Sequence, residues 1–123
     1  MSKTAKQRTG QTAEDLACDY LQQQGLQLLE RNYRCRQGEI DLIMRHDSYL
    51  VFIEVRYRRN TNICSGAESV DRRKQQKLII TATHYLQQHD RAAQLPSRFD
   101  VVSMSLDKNA ATIDWIQNAF QVS

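Results

Sequence analysis

The sequence predicts an α/β domain with a mixed sheet of about five strands flanked by helices, in the order α-β-β-β-α-β-β. Two amphipathic helical segments are separated by three strand-like segments, and two more strand-like segments follow the second helix. Helices divided by strands in this way predict a sheet that is covered on its faces. The chain has 123 residues, which is the size of one domain with its own core. We therefore interpret residues 1–123 as a single domain.

The first ten residues and the first helix differ in their patterning. Residues 1–10 are polar and basic without an apolar stretch, which predicts a flexible arm and no secretory signal. A helix is predicted over residues 12–24, and Gly25 stands where it would end. Its apolar positions follow the spacing i, i+3, i+4, i+7, i+8 of a buried helical stripe: Ala13, Leu16, Ala17, Tyr20 and Leu21.

The remaining elements follow from alternation and from polar breaks. LQLLERNYR reads as a first strand, and residues 39–45 and 49–57 read as a hairpin with a polar break between them. Residues 60–69 are polar and predict a loop before a long helix over residues 70–88. RFDVVSMSL and ATIDWI complete the sheet as two further strands.

Composition excludes several classes of protein. No apolar run approaches the roughly 20 residues of a membrane helix. Cys18, Cys35 and Cys64 are odd in number and form no CxxC motif, which favours reduced thiols and a cytoplasmic protein over a zinc site or a disulfide scaffold. No Gly-rich phosphate loop opens either helix, so a nucleotide-cofactor fold is disfavoured.

Positive charge is concentrated in one part of the chain. From Arg56 to Lys77 the net charge is +5, which leaves the rest of the chain at −2, because the whole chain carries +3. Such a concentration attracts phosphate backbones. The alternative is a solvated positive surface without a partner. The basic residues of this segment are Arg56, Arg58, Arg59, Arg72, Arg73, Lys74 and Lys77.

Two carboxylates interrupt the apolar runs of the predicted hairpin. If its turn centres between Asp47 and Ser48, Asp41 lies opposite Glu54. Opposed side chains have β-carbons about 4.5–5.5 Å apart, and two carboxylates at that distance repel each other. A shared proton would relieve this repulsion, and so would a divalent cation such as Mg²⁺. The same register places Glu39 opposite Arg56.

This spacing has an ordinary explanation as well. Glu39 could pair with Arg56, Asp41 could begin its strand near solvent, and Glu54 could reach an exposed edge. A buried acidic pair and a set of unrelated surface carboxylates are both compatible with the pattern at this point.

Four segments taken together resemble a known family: GEIDLI, LVFIEVRYR, KQQKL and RFDVV. They are similar to the YraN-like family of small, largely uncharacterised bacterial proteins. That family is assigned to the restriction-endonuclease-like fold of the PD-(D/E)xK nuclease superfamily and resembles archaeal Holliday-junction resolvases. The resemblance covers about residues 10–120 and implies a core with the element order given above.

The resemblance also implies site residues. Asp41 matches the motif Asp, Glu54 matches the D/E position, and Glu14 matches a glutamate that resolvase-like members add to the metal site. The implied cofactor is Mg²⁺ or Mn²⁺, with the carbonyl of Val55 as a further ligand. Arg56 stands where the superfamily usually has Lys. Arginine stays protonated and cannot act as a general base, so Arg56 would hold the phosphate while the ion itself activates water.

Three functions follow as hypotheses. The first is a metal-dependent nuclease for branched or single-stranded DNA, with flanking backbone bound by Arg58, Arg59, Arg72, Arg73, Lys74 and Lys77. The second is a nucleic-acid-binding module of the same fold that does not cut, which the arginine at position 56 favours. The third is a protein-interaction role. The resemblance is also compatible with a homodimer, because junction-cutting relatives of this fold work as dimers.

Overall fold

The predicted order of strands and helices is confirmed in the computed structural model of the chain. The structure describes residues 5–58, 70–107 and 110–121, and it describes residues 5–11, 58, 106, 107, 110 and 111 by their backbone alone. The elements are α1 (Ala5–Gln23), β1 (Gln27–Cys35), β2 (Gly38–His46), β3 (Tyr49–Arg58), α2 (Arg72–Gln88), α3 (Asp90–Ala93), β4 (Ser97–Asp107) and β5 (Ala110–Phe120). The short helix α3 was not predicted.

The first helix begins earlier than predicted and ends where predicted. Residues 5–10, which the sequence assigns to a flexible arm, belong to α1. Good helix formers such as Ala, Lys, Gln and Arg dominate these turns, so the helix can extend beyond its packed stripe. At the other end, Gly25 has a φ of 98°, a conformation that glycine adopts without a steric cost. The backbone N–H of Leu26 then bonds the carbonyl of Leu21 and closes the helix.

The five strands form one mixed sheet in the order β1-β2-β3-β4-β5. The first three strands form an antiparallel meander, and β4 pairs with β5 in the same way. The pair β3 and β4 is parallel, so the chain crosses over the sheet between them through α2. This arrangement confirms the predicted α/β class with a mixed sheet. No helix in the described part of the chain is long and apolar enough to span a membrane.

Each face of the sheet packs against one helix. The first hydrophobic cluster joins α1 to one face and includes Ala17, Leu21, Leu42, Met44 and Ile53. The second joins α2 to the opposite face and includes Ile43, Phe52, Leu78, Ala82 and Tyr85. Because strand side chains alternate between faces, Glu54 shares the face of Phe52 and therefore points toward α2.

Candidate active site

The register of the β2–β3 hairpin brings Asp41 next to Glu54. Leu42 lies opposite Ile53 and His46 opposite Tyr49, which confirms the predicted register. Asp41 and Glu54 come next along the two strands. Their carboxyl groups lie within hydrogen-bonding reach of each other. The structure thus supports the acidic pair over the interpretation of unrelated surface carboxylates.

Asp41 follows the last described β2–β3 pair, Leu42 with Ile53, and lies between two described pairs on the β1 side. Toward β3, the side chain of Asp41 bonds the backbone, because its Oδ2 atom accepts a hydrogen bond from the N–H of Val55 at 2.8 Å. Toward β1, the described partners step from Arg31–Leu42 to Tyr33–Ile40, which leaves Asn32 across from Asp41. Asn32 has a φ of 54°, a left-handed conformation that asparagine tolerates better than most residues. The carboxyl of Asp41 is therefore held by the neighbouring backbone.

Burial and a second carboxyl group raise the pKa of Asp41 from its usual 3.8 to about 8. Loss of hydration is the largest cause, followed by the charge of Glu54 and the hydrogen bond between the two carboxyls. The N–H of Val55 acts in the opposite direction, because it stabilises the ionised form. Without a bound cation, the pair therefore holds one proton at neutral pH, and that proton relieves the repulsion.

Glu54 is 8% exposed and is contacted by a cation from the crossing helix. The Nζ atom of Lys74 lies 3.5 Å from Glu54 Oε2. Lys74 stands in the first turn of α2, where its backbone N–H donates to the side chain of Asp71, the N-terminal cap, at 2.8 Å. A β-carbon added to Gly38 would lie 3.0 Å from the hydroxyl of Thr81, so α2 packs tightly on the start of β2. This packing fixes the helix that carries Lys74.

Glu14 lies near the pair without joining it. Its carboxylate forms an ion pair with Arg31 at 3.3 Å, and Arg31 also binds Asp15 at 2.7 Å. Burial raises the pKa of Glu14, whereas Arg31 partly lowers it. The charge of Glu14 still contributes to the raised pKa of Asp41. Within the described ranges, however, no three Asp, Glu, His or Cys side chains gather closely enough to hold an ion together.

The other predicted site residues fall into three groups. Arg56 is half-buried and shares the face of Glu54 by strand alternation. Arg72, Arg73 and Lys77 are exposed on α2. Val55 approaches the pair through its N–H, and its carbonyl as a ligand remains a prediction. Arg59 and the side chain of Arg58 lie outside the described residues, as does Cys64.

The two carboxylates fit a hard divalent cation. Mg²⁺ commonly takes one or two carboxylates from a protein and fills its octahedron with water and substrate phosphate, so a third protein carboxylate is not required. A cation bound by both groups would neutralise the charges that raise the pKa of Asp41 when the site is empty. Asp41 and Glu54 are therefore the residues that would hold the ion.

A second buried carboxylate on β4 was not assigned a role from the sequence. Asp100 is 1% exposed and accepts from the guanidinium of Arg98 at 3.0 Å. It also accepts from Trp115 Nε1 and from the N–H of Asn118, both at 2.9 Å. The same guanidinium lies 2.8 Å from His46 Nδ1. The sequence carried a signal for Asp100, because this acid interrupts the apolar run RFDVV. The same kind of signal identified Asp41.

The chain is similar to a family of bacterial proteins over most of its length. A model of the uncharacterised protein family UPF0102 matches residues 13–104. The chain belongs to the UPF0102 family. A UPF0102 protein of Stutzerimonas stutzeri is 51% identical over 115 residues, which are 94% of this chain and 96% of the relative. UPF0102 proteins of Nitrosococcus oceani and Coxiella burnetii are 51% and 48% identical over 113 and 116 residues. These alignments cover 92% and 94% of this chain, and 91% and 94% of the relatives.

Membership in UPF0102 confirms the resemblance to the YraN-like family. The match spans α1 to β4 and so includes Asp41, Glu54 and Lys74. The family is described as uncharacterised, and its name carries no activity. The function of this UPF0102 chain must therefore be argued from its own side chains.

The raised pKa of Asp41 makes a prediction about stability. The folded protein keeps this proton up to about pH 8, whereas an unfolded Asp releases it near pH 4. In chelator, the free energy of unfolding should fall as pH rises from about 4 to about 8. Asp41→Asn removes the titrating group and keeps an oxygen for the N–H of Val55. We expect it to stabilise the protein by on the order of 2 kcal/mol at pH 8, since water access reduces the full effect.

Urea unfolding of the wild-type and variant proteins at several pH values measures this difference. Glu39→Gln is the matched control, because Glu39 lies on the same strand, is more exposed and pairs with Arg34. Equal slopes of stability against pH for the Asp41→Asn variant and the wild type would show that Asp41 is ionised in the folded protein.

Proposed function

We propose that this protein is a divalent-metal-dependent nuclease that cuts DNA phosphodiester bonds and selects branched or single-stranded DNA over linear duplex. The observation that carries the proposal is the close approach of two carboxylates inside the sheet, the half-buried Asp41 and the buried Glu54, which raises the pKa of Asp41 in the absence of a cation. Two dehydrated carboxylates side by side destabilise the fold unless a proton or a cation offsets their charge, and Mg²⁺ or Mn²⁺ is the cation that their oxygens fit best.

A cation bound by the pair would act as a Lewis acid toward the phosphate and would help to activate water. In the hydrolysis, the water oxygen forms a bond to phosphorus and the bond from phosphorus to a sugar oxygen breaks. The water releases a proton to solvent, and the departing sugar oxygen takes one up. The chain contributes the two carboxylates that orient the site and the cation of Arg56, which is suited to bind a phosphate oxygen.

The surface around the pair supports a polyanionic substrate. Arg72, Arg73 and Lys77 are exposed on α2, the helix whose first turn reaches Glu54 through Lys74. Cations on one helix bind phosphates without reading bases, because phosphate contacts carry no sequence information. Selection among DNA molecules would then depend on their shape, and we include the preference for branched or single-stranded DNA in the proposal on that ground.

A non-catalytic nucleic-acid-binding module is the second candidate, and Arg56 favours it. The arginine stands where the related nucleases usually have a lysine, and it cannot donate or accept a proton at neutral pH. The DNA affinity of such a module would fall strongly with added salt and would not change when a chelator is added.

The deciding experiment combines ion binding with cleavage. Full-length protein is titrated with Mn²⁺ by calorimetry and is then incubated with labelled four-way junction, flap, single-stranded and linear duplex DNA of matched sequence. We expect one Mn²⁺ per chain and cleavage that favours the branched or single-stranded substrates and stops in EDTA. Absence of Mn²⁺ and Mg²⁺ binding at millimolar concentration would overturn the nuclease proposal. Ion-independent DNA binding without cleavage would select the second candidate.

A further inference from the structure

Lys74 differs from the other cations of α2 in its surroundings. Its ammonium lies 3.5 Å from Glu54 Oε2, whereas the neighbouring Arg73 is exposed. The backbone of Lys74 is fixed by the N-terminal cap of the helix, Asp71. Its side chain is 42% exposed, so the head group can move on its flexible four-carbon stem while the helix stays in place.

The contact of Lys74 with Glu54 competes with a divalent cation. The ammonium occupies a carboxylate oxygen that the cation would need, and two positive charges at close range repel each other strongly in a half-buried site. A cation entering between Asp41 and Glu54 would therefore expel the ammonium from Glu54. The expelled ammonium would then be hydrated and free to bind another anion, because its contact with Glu54 is lost.

We propose that Lys74 is an exchangeable counter-ion, which a divalent cation displaces from Glu54 onto a phosphate oxygen of bound DNA. The proposal rests on the proposed function and specifies how its two ligands are coupled. With the site empty of cation, Lys74 is held by Glu54 and adds little to DNA binding. With a cation bound, Lys74 becomes available to the phosphate that lies beside it. Lys74 is thus a positioning residue that makes the cation and DNA bind cooperatively.

The first measurement is Mn²⁺ affinity in the absence of DNA, by calorimetry on the full-length wild type and the variants Lys74→Met and Arg73→Met. Removal of the competing ammonium should tighten Mn²⁺ binding by about 5-fold or more in the Lys74→Met variant. Arg73→Met removes the same charge one residue away, and its effect should be clearly smaller. Lys74→Arg, which keeps a cation in this position, should bind Mn²⁺ more like the wild type.

The second measurement is DNA affinity in EDTA and in Ca²⁺, an oxygen-seeking cation, by fluorescence anisotropy with a labelled four-way junction. Lys74→Met should cost little affinity in EDTA and about 5-fold or more in Ca²⁺. Arg73→Met should cost the same factor under both conditions, because its contact to phosphate does not depend on the site. Thermal unfolding of each variant checks that the protein is folded at the temperature of the binding measurements.

The inference fails if Lys74→Met binds Mn²⁺ no tighter than the wild type, or if its loss of DNA affinity is equal in EDTA and in Ca²⁺. In that outcome the wild type would still bind Mn²⁺ and the nuclease proposal would stand. If the wild type itself binds no Mn²⁺, the proposed function fails and this inference fails with it.

Discussion

Replacing Asp41 by Asn, or Glu54 by Gln, is expected to lower metal-dependent DNA cleavage by about 10³-fold or more. Each change leaves the shape of the side chain nearly intact but removes one of the two charges that would hold the cation. The stability argument strengthens the test, because Asp41→Asn should make the protein more stable at neutral pH. Loss of cleavage in that variant could then not be attributed to unfolding.

Rates measured with saturating junction DNA across a range of Mn²⁺ concentrations check this expectation. The control is Glu39→Gln, which removes an acid two residues from Asp41 on the same strand, and it should retain cleavage within about a factor of two to three. Thermal unfolding adds a second readout, since Mn²⁺ should stabilise the wild type and the Glu39→Gln variant but neither site variant. Wild-type cleavage in the Asp41→Asn variant would rule out the carboxylate pair as the catalytic centre.

The largest effect on folding is expected at Asp100. Asp100→Ala should lower the free energy of unfolding by about 3–5 kcal/mol, because it leaves the half-buried guanidinium of Arg98 without its carboxylate. It also removes the acceptor for Trp115 and Asn118. Asn118 lies in a bulge of β5, where the register shifts between Phe99 and Val101, so that bulge loses its anchor.

Urea unfolding in the presence of chelator measures this loss apart from any effect of metal. Asp114→Asn is the matched control, because Asp114 is an exposed acid on the adjacent strand β5, and its effect should stay within about 0.5 kcal/mol. The loss of unfolding free energy in the Asp100→Asn variant should lie between those of Asp100→Ala and Asp114→Asn. The asparagine keeps an acceptor but loses the charge that faces Arg98. A loss below about 1 kcal/mol in the Asp100→Ala variant would contradict a structural role for this carboxylate.

The sequence predicted those features that depend on local patterning. The hairpin register followed from the polar break at Asp47 and Ser48, and it was sufficient to place Asp41 beside Glu54. The end of α1 followed from Gly25. Its start did not, because the apolar periodicity that marks a packed helix begins only at Ala13.

The missed features depend on contacts between elements distant in sequence. Charge patterning placed Lys74 on a positive surface, but its contact with Glu54 requires the docking of α2 over β3. The role of Glu14 at a metal site stays a prediction, and its ion pair with Arg31 was missed because it arises from the packing of α1 on β1. The network around Asp100 likewise joins β4 to β5 and to the end of β2. Sequence patterning gives no distance between such groups.

Both carboxylates of the acidic pair come from one hairpin and stand only thirteen residues apart in the sequence. Contacts of such low contact order form early in folding, whereas the parallel pairing of β3 with β4 must wait for the chain to close a much longer crossover. We therefore expect the two acids to meet before the helix that carries Lys74 has docked. On that expectation, the nascent hairpin carries this electrostatic repulsion while water still surrounds it, and most of the dehydration follows when the helix docks.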